Sequence, residues 1–178
     1  GELVVGGEKN VLILRGAAGT GKEATVAGAL EALGYPPDRF LTLRGGTVNP
    51  RPFDPLACGI TGDFLAEARV HLGSVESQLY ERLLPAYRYV FAGPFRAVLA
   101  PAMETGYRLF MGLVLRAYAR GMSRTGLPPI LVCENLHRFS PESLDLLGEL
   151  HLSSDIRIVA TTARTCPQSW PEYGIMEW

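Results

Sequence analysis

The residues with the clearest chemical meaning form a glycine-rich segment that ends in a lysine and fits the phosphate-binding pattern G-x-x-x-x-G-K. In chain order they are Gly16, Ala17, Ala18, Gly19, Thr20, Gly21 and Lys22. The glycines let the backbone curl until successive N–H groups point at phosphate oxygens, and the lysine adds a positive charge for the outer phosphates. The segment predicts a site for the phosphates of a nucleotide. The other interpretation is a turn that only joins a strand to a helix.

The residue after the lysine departs from this pattern. A serine or threonine is expected there, because its hydroxyl binds the Mg²⁺ that accompanies the nucleotide, but the chain has Glu23. The helix dipole favours an acid in the first turn of a helix, whereas the same charge repels phosphates. We expect the nucleotide-binding residues to continue through Glu23 and Ala24, with Glu23 as a candidate metal ligand that weakens binding.

A second candidate group follows a buried apolar run later in the chain. Residues 130–133 are apolar, and Glu134 and Asn135 come directly after them. A carboxylate at the end of such a strand can hold Mg²⁺, and a neighbouring acid can orient the attacking water. Glu134 is therefore a candidate catalytic residue and metal ligand, or else an exposed acid in a turn. Asn135 is the second catalytic candidate, although its amide neither accepts a proton nor carries charge. His137 could act as a base, but we expect it to pack or to cap the turn.

The elements around these residues alternate between strands and helices. Four apolar runs have the length and composition of strands: residues 11–14, 40–43, 130–133 and 155–161. Helical spacing continues from the glycine-rich segment to about residue 33, and Gly34 then suits the end of that helix. Ser140 and Pro141 suit the start of a later helix. This alternation predicts an α/β fold with a parallel sheet, helices on both faces and a ligand at the carboxyl ends of the strands.

The longest helical segment lies between the second and third predicted strands, and we interpret residues 62–125 as a helical insertion. Breaks are predicted at Gly73, Pro85, Gly93 with Pro94, and Pro101. Aromatic residues and arginines alternate within it: Tyr87, Arg88, Tyr89, Phe91, Phe95 and Arg96. Such a mixture can stack on single-stranded nucleic acid. Aromatic residues at helical spacing usually face a core, however, and we expect that here. Arg116 and Arg120 share a helix face and are expected to be solvated.

The overall composition limits the classes of protein. With 178 residues, 47% of them hydrophobic, the chain can bury one proper core, and its formal net charge of −1 lacks the basic field of a dedicated nucleic-acid-binding protein. Its three cysteines contain no C-x-x-C pair, so neither a disulfide framework nor a zinc site is indicated. We find no membrane span and no signal sequence, and expect a cytoplasmic location. We expect residues 1–178 to be a single nucleotide-binding domain from a longer protein.

Three parts of the chain together resemble the ATPase module of the AAA+/STAND group: residues 16–22, 44–55 and 130–140. The similarity is closest to the modules of large bacterial regulators and of proteins with nucleotide-cyclase domains. It implies a P-loop NTPase three-layer sandwich with sheet order 5-1-4-3-2, whose last strand is expected to be missing, and ATP or ADP with Mg²⁺ as cofactors. It also implies that Thr161, Thr162 and Arg164 lie at the end of the strand that senses the γ-phosphate.

The departures from that family affect the activity we expect. Glu23 replaces the metal-binding hydroxyl, Asn135 replaces the second acid, and Arg138 stands where the family usually has Trp. The resemblance therefore implies a nucleotide-binding regulatory module with slow hydrolysis or none, which acts as a switch on neighbouring domains or protein partners. Two alternatives remain open. One is a scaffold that binds no nucleotide, and the other is an ATPase completed by a neighbouring domain or subunit. The sequence does not distinguish ATP from GTP.

Overall fold

The computed structural model describes residues 11–46, 53–91, 101–153, 155–163 and 175–177. The strands of this part are β1 (Val11–Arg15), β2 (Leu41–Arg44), β3 (Ile130–Glu134), β4 (Arg157–Thr162) and β5 (Ile175–Glu177). Its α-helices are α1 (Lys22–Ala32), α2 (Leu56–Gly59), α3 (Gly62–Val70), α4 (Ser74–Phe91), α5 (Pro101–Arg124) and α6 (Pro141–Ser153). Short 3-10 turns occupy Pro37–Arg39 and Leu136–Arg138.

The strands form one parallel sheet in the order β2-β3-β4-β1-β5. This confirms the predicted α/β fold with a parallel sheet. The expectation that the last strand is missing is wrong, because Ile175–Glu177 pairs with β1 opposite Ile13, Leu14 and Arg15. A strand of three residues is too short to produce a recognisable hydrophobic pattern, so it cannot be predicted from the sequence alone.

The two faces of the sheet carry separate layers of hydrophobic packing. On one face, strand residues such as Leu14 and Val132 pack with Val26 and Leu30 of α1. The other face packs against α5 and α6 through a larger set of buried residues, which includes Ile13, Leu43, Leu131, Cys133, Ala160, Phe110, Met111, Val114 and Leu147. Successive strand residues point to opposite faces, so both faces can be buried at once. The described residues therefore form helix, sheet and helix layers, as the sequence predicts.

The helical segment between β2 and β3 belongs to the main core. The predicted break at Gly73 lies between α3 and α4, and Pro101 is the first residue of α5, where proline is well tolerated. The predicted break at Pro85 is wrong, because Pro85 lies inside α4, where packing of the neighbouring turns outweighs the lost hydrogen bond. Gly93 and Pro94 lie outside the described residues. Within the described ranges, no helix is both long and apolar enough to cross a membrane.

The aromatic residue that begins the predicted aromatic and arginine mixture lies in the core. Tyr87 is 5% exposed, and its ring centroid is 5.4 Å from that of Tyr107 and 5.8 Å from that of Phe110. Its hydroxyl donates to the carbonyl oxygen of Met103 at 3.2 Å. The core interpretation of Tyr87 is therefore confirmed.

Two predicted helix ends have the expected hydrogen bonds. Gly34 has a φ of 85°, its N–H donates to Glu31 O at 2.9 Å, and the N–H of Tyr35 donates to Leu30 O at 2.9 Å. These bonds are typical of a helix that ends at a left-handed glycine. At the start of α6, the Ser140 hydroxyl oxygen accepts from the N–H of Ser143 at 3.2 Å. Both ends therefore form as local sequence chemistry requires.

Candidate functional site

The candidate site lies where the parallel strands end, which we call the carboxyl end of the sheet. Residues 16–22, which we call the phosphate loop after the sequence pattern that they fit, leave β1 at this end and lead directly into α1. The pairing of β1 with β4 extends one residue past the strand, because the Gly16 N–H donates to Thr162 O at 3.1 Å. The loop therefore starts from a fixed position at the centre of the sheet.

The phosphate loop is a tight turn with a largely exposed backbone. Gly19 and Gly21 have φ values of 79° and 80°, in the left-handed region that favours glycine. The Thr20 hydroxyl donates back to Ala17 O at 2.9 Å. The first amides of any α-helix have no partner within the helix. In α1 they also lack a side-chain cap, because the N-cap residue is Gly21. These amides, including that of Ala24, are suited to bind an anion.

The Lys22 side chain is folded into the loop. It is only 2% exposed, and its Nζ donates to Gly16 O at 2.9 Å and to Ala17 O at 2.6 Å. A third, longer contact of 3.3 Å joins Nζ to the Thr20 hydroxyl. A buried ammonium group is costly unless it is hydrogen-bonded, and here the loop carbonyls supply the partners. The loop therefore holds its own cation in its centre.

Glu23 reaches across to β4 rather than outward to solvent. The Thr161 hydroxyl donates to Glu23 Oε1 at 3.3 Å, and the same hydroxyl oxygen accepts from the Asn135 N–H at 3.2 Å. Thr161 is completely buried. One threonine thus connects the start of α1 with the residue that follows β3.

Glu134 forms an ion pair with the neighbouring strand. Its Oε2 lies 2.7 Å from Nε of Arg44, which stands opposite it in the sheet. The Glu134 side chain is 14% exposed and that of Arg44 is 75% exposed. Because Ile130 and Val132 pack on the α1 face, the strand alternation places Glu134 on that face too. Glu134 therefore lies on the same side of the sheet as the phosphate loop, with its carboxylate already paired.

The turn after β3 is held by backbone contacts. Asn135 has left-handed backbone angles, with φ of 59° and ψ of 50°, which asparagine tolerates better than most residues. Gly45 packs so closely on this turn that a Cβ there would lie 2.6 Å from Asn135 O and 2.9 Å from Cβ of Arg138. The sequence gives no signal for this close approach, because Gly45 and Asn135 are far apart in the chain.

His137 caps the end of β4, whereas the sequence predicts that it packs or caps the turn in which it lies. The N–H of Ala163 donates to His137 Nδ1 at 3.3 Å, and the Thr162 hydroxyl lies 3.4 Å from the same nitrogen. Thr162 is buried, at 1% exposure, and Arg164 lies outside the described residues. The structure thus brings together Glu23, Thr161 and Asn135, and places Lys22, Glu134 and Thr162 at the same end of the sheet.

The proposed metal ligands, Glu23 and Glu134, are each engaged by a protein donor. No group of three or more histidine, cysteine, aspartate or glutamate residues within the described part of the chain is arranged to hold a metal ion. Cys133 is a free, buried thiol, and burial raises its pKa well above the ordinary value, so it remains protonated.

Comparison with protein-family models gives no match, and comparison with curated protein sequences gives none either.

Proposed function

We propose that this chain is a regulatory module that binds ATP or ADP at the phosphate loop and hydrolyses it slowly or not at all. The observation that carries the proposal is the arrangement of residues 16–24: a glycine-rich turn, a buried lysine ammonium group and the uncapped start of α1 lie at one point. Exposed amides and a lysine are the groups that bind nucleotide phosphates.

Binding in this proposal is an exchange of partners. Nζ of Lys22 leaves the carbonyls of Gly16 and Ala17 and pairs with phosphate oxygens, which are stronger, charged acceptors. The phosphates also bring negative charge close to Glu23, whose carboxylate contacts Thr161. An incoming triphosphate therefore alters contacts among α1, β4 and the turn after β3. Such a change of contacts is what a switch on neighbouring domains or protein partners requires.

Slow hydrolysis is expected from the groups that surround the loop. Glu134 is paired with Arg44, and Asn135 offers an amide where a second carboxylate would serve. When bound, Mg²⁺ would neutralise charge on the outer phosphates, and Glu134 and Glu23 are the residues that would hold it. Both carboxylates would have to be drawn from their present donors, Arg44 and Thr161.

The proposal is tested by thermal melting of the protein with ATP and with ADP, each with Mg²⁺ and with EDTA. A ligand present at a hundred times its Kd stabilises the folded state by about 2.7 kcal/mol, so binding gives a clear rise in melting temperature. Isothermal titration then gives the affinity. If neither nucleotide produces a shift at millimolar concentration and titration shows no heat, the scaffold interpretation replaces this proposal.

A further inference from the structure

A pocket of about 250 Å³ opens at the other end of the sheet, where the strands begin. We call it the amino-end pocket, and the residues that line it include Arg39, Phe64, Glu67, Ala68, Tyr118 and Arg124. Arg39 comes just before β2, and the Tyr118 hydroxyl donates to the carbonyl oxygen of Ile130, the first residue of β3, at 3.1 Å. The pocket is therefore separate from the phosphate loop, which lies at the carboxyl end.

The inner surface of the pocket is apolar and aromatic. Ala68 and Met122 are buried, and the rings of Phe64 and Tyr118 lie against each other with centroids 5.3 Å apart. Because the Tyr118 hydroxyl is bonded to Ile130 O, the polar group of this side chain already has a partner outside the pocket. Burial raises the pKa of Tyr118, so its hydroxyl stays neutral near pH 7. These walls are suited to the faces of a planar ring.

His71 forms one wall of the pocket and lies close against α5. A Cβ at position 121 would lie 2.6 Å from Cδ2 and 2.7 Å from Nε2 of His71, so Gly121 is what lets the imidazole approach α5. Nη1 of Arg124 lies 3.4 Å from His71 Nδ1, and Nε of Arg120 donates to His71 O at 3.1 Å. These contacts place the imidazole of His71 between Gly121 and Arg124.

The rim of the pocket has a positive balance of charge. Arg39 and Arg124 each contribute one positive charge, and Glu67 contributes one negative charge. Counted over these three side chains, the rim carries a formal charge of about +1. Pockets for drug-sized ligands have volumes of roughly 300–1,000 Å³, so this pocket suits one ring rather than a nucleotide.

We propose that the amino-end pocket binds a small planar monocarboxylate, with one aromatic ring on the Phe64 and Tyr118 walls and its carboxylate toward Arg39 and Arg124. The ring removes apolar surface from water, and the carboxylate matches the charge of the rim. This proposal does not depend on nucleotide binding, because it uses residues of α3, α5 and the turn before β2 only.

The test uses benzoate as the probe, with benzamide as its neutral analogue and benzylamine as its cationic analogue. Benzoate titrated into ¹⁵N-labelled protein is expected to shift the amide signals of residues 64–71 and 118–125 saturably, with a Kd on the order of 0.1–1 mM for about nine non-hydrogen atoms. Benzamide is expected to bind about three to ten times more weakly, and benzylamine more weakly still. Equal binding of the three probes, or no saturable shift with benzoate, would overturn the proposal.

Variants distinguish benzoate binding in this pocket from benzoate binding at the phosphate loop, which we also propose to bind an anion. Ala68→Leu fills the pocket and is expected to abolish the benzoate shifts, whereas Ala66→Leu on the exposed side of the same helix should leave them unchanged. Glu67→Gln removes the negative charge from the rim and should tighten benzoate binding about two- to threefold. Benzoate shifts that appear at residues 16–24 and vanish in Lys22→Ala would place the anion in the phosphate loop and refute the pocket. Unchanged benzoate binding in a folded Ala68→Leu variant would refute it too.

Discussion

The two ends of the sheet differ in how they meet a ligand. At the carboxyl end, the protein's own charged groups already hold partners: Lys22 with the loop carbonyls, Glu23 with Thr161, and Glu134 with Arg44. A nucleotide bound there, as we propose, would have to exchange these partners. Binding would then be linked to a change in the contacts among three segments of the fold.

At the amino end, two polar groups of the wall residues are bonded to protein groups outside the cavity, and the cavity itself is open. The Tyr118 hydroxyl is bonded to Ile130 O, and the His71 carbonyl oxygen is bonded to Arg120. A ligand there enters without displacing those bonds. Under the two proposals, binding at the carboxyl end would be coupled to a change of contacts, and binding at the amino end would not.

The largest expected effect concerns hydrolysis at the carboxyl end. Positioned acid and base groups raise the rate of an enzymatic reaction by about a hundredfold to ten-thousandfold. A typical enzyme has a kcat of about 10 s⁻¹, so we expect a kcat at least about a hundredfold lower than that here. Phosphate release with Mg-ATP measures it. Asn135→Asp should raise the rate of hydrolysis at least about tenfold, because it supplies the second carboxylate. The fold should be kept, since aspartate also tolerates the left-handed backbone at this position. A kcat near 10 s⁻¹ in the unmodified protein would show that the paired carboxylates do not limit catalysis.

The second prediction is that Lys22→Ala abolishes the nucleotide-induced melting shift. At a hundred times its Kd, nucleotide should add about 2.7 kcal/mol to the unmodified protein, or roughly 5–10 °C for a chain of this size. Glu31→Gln, on the exposed surface of α1, is the matched control and should keep the full shift. Benzoate binding at the amino end should be the same in all three proteins. A full nucleotide shift in Lys22→Ala would mean that the nucleotide binds elsewhere.

The third prediction compares a glycine at each end of the sheet. Gly45→Ala should cost about 2–3 kcal/mol of unfolding free energy, because its Cβ would meet the carbonyl oxygen of Asn135, a backbone atom that cannot move alone. Gly121→Ala should cost about 1 kcal/mol or less, because the His71 ring can shift and alanine favours the helix. Gly148→Ala, with open space around it in α6, should stabilise by up to about 1 kcal/mol. Urea denaturation measures all three. A larger loss of unfolding free energy for Gly121→Ala than for Gly45→Ala would show that the amino end is the more rigid one.

These glycines also show what the sequence could and could not predict. The first four strands, the glycine-rich turn and the two helix caps are local features, so hydrophobic spacing and turn chemistry were enough to predict them. Gly34 and Ser140 act through residues within five positions of themselves. The close approach of Gly45 to Asn135 joins residues about ninety positions apart, and no local pattern encodes it.

The amino-end pocket was invisible in the sequence for the same reason. Its walls come from α3 and α5, which contribute residues about fifty positions apart. Arg120 was expected to be solvated, and its side chain is 41% accessible, but the sequence did not predict that its guanidinium group also pairs with Glu76 at 3.0 and 2.6 Å. The partners of Glu23 and Glu134 were likewise set by strand neighbours that only the fold brings together.

The fourth prediction concerns the charge that a nucleotide meets beside the phosphate loop. Two unit charges about 4 Å apart repel by on the order of 4 kcal/mol at an effective dielectric constant near 20, far more than the helix dipole gains from an acid. Partial exposure and rotation of Glu23 reduce this cost. We expect Glu23→Thr to tighten Mg-ATP binding about fivefold, and Glu23→Gln to tighten it less, by removing charge alone. Isothermal titration with Mg²⁺ and with EDTA measures both. Unchanged affinity in both variants would mean that the carboxylate leaves the site when nucleotide binds.

The smallest expected effect concerns Glu76, which supports the amino-end pocket by holding Arg120. Burial raises the pKa of Glu76, but hydrogen bonds from the Gly73 N–H and from Arg120 outweigh it and hold the pKa below its ordinary value. A carboxyl group with a lowered pKa in the folded state stabilises the fold above its unfolded-state pKa, and the contribution disappears as the pH falls through the folded-state pKa. Since both partners are about a third exposed, with side chains 31% and 41% accessible, Glu76→Gln should cost only about 0.5 kcal/mol at pH 7.

Urea denaturation of the unmodified protein and of Glu76→Gln at a series of pH values from 7 to 3 tests this sign. The difference in unfolding free energy should be constant near neutral pH and shrink as the pH falls below about 4.5, where the carboxyl group begins to take up a proton. Glu142→Gln, which replaces an acid at the start of α6, is a control on a different helix. Because Arg120 also donates to His71 O, Glu76→Gln should weaken benzoate binding slightly at pH 7 while leaving nucleotide binding unchanged. A difference that grows on acidification would mean that the Glu76 pKa is raised by burial and that the ion pair with Arg120 does not support the pocket wall.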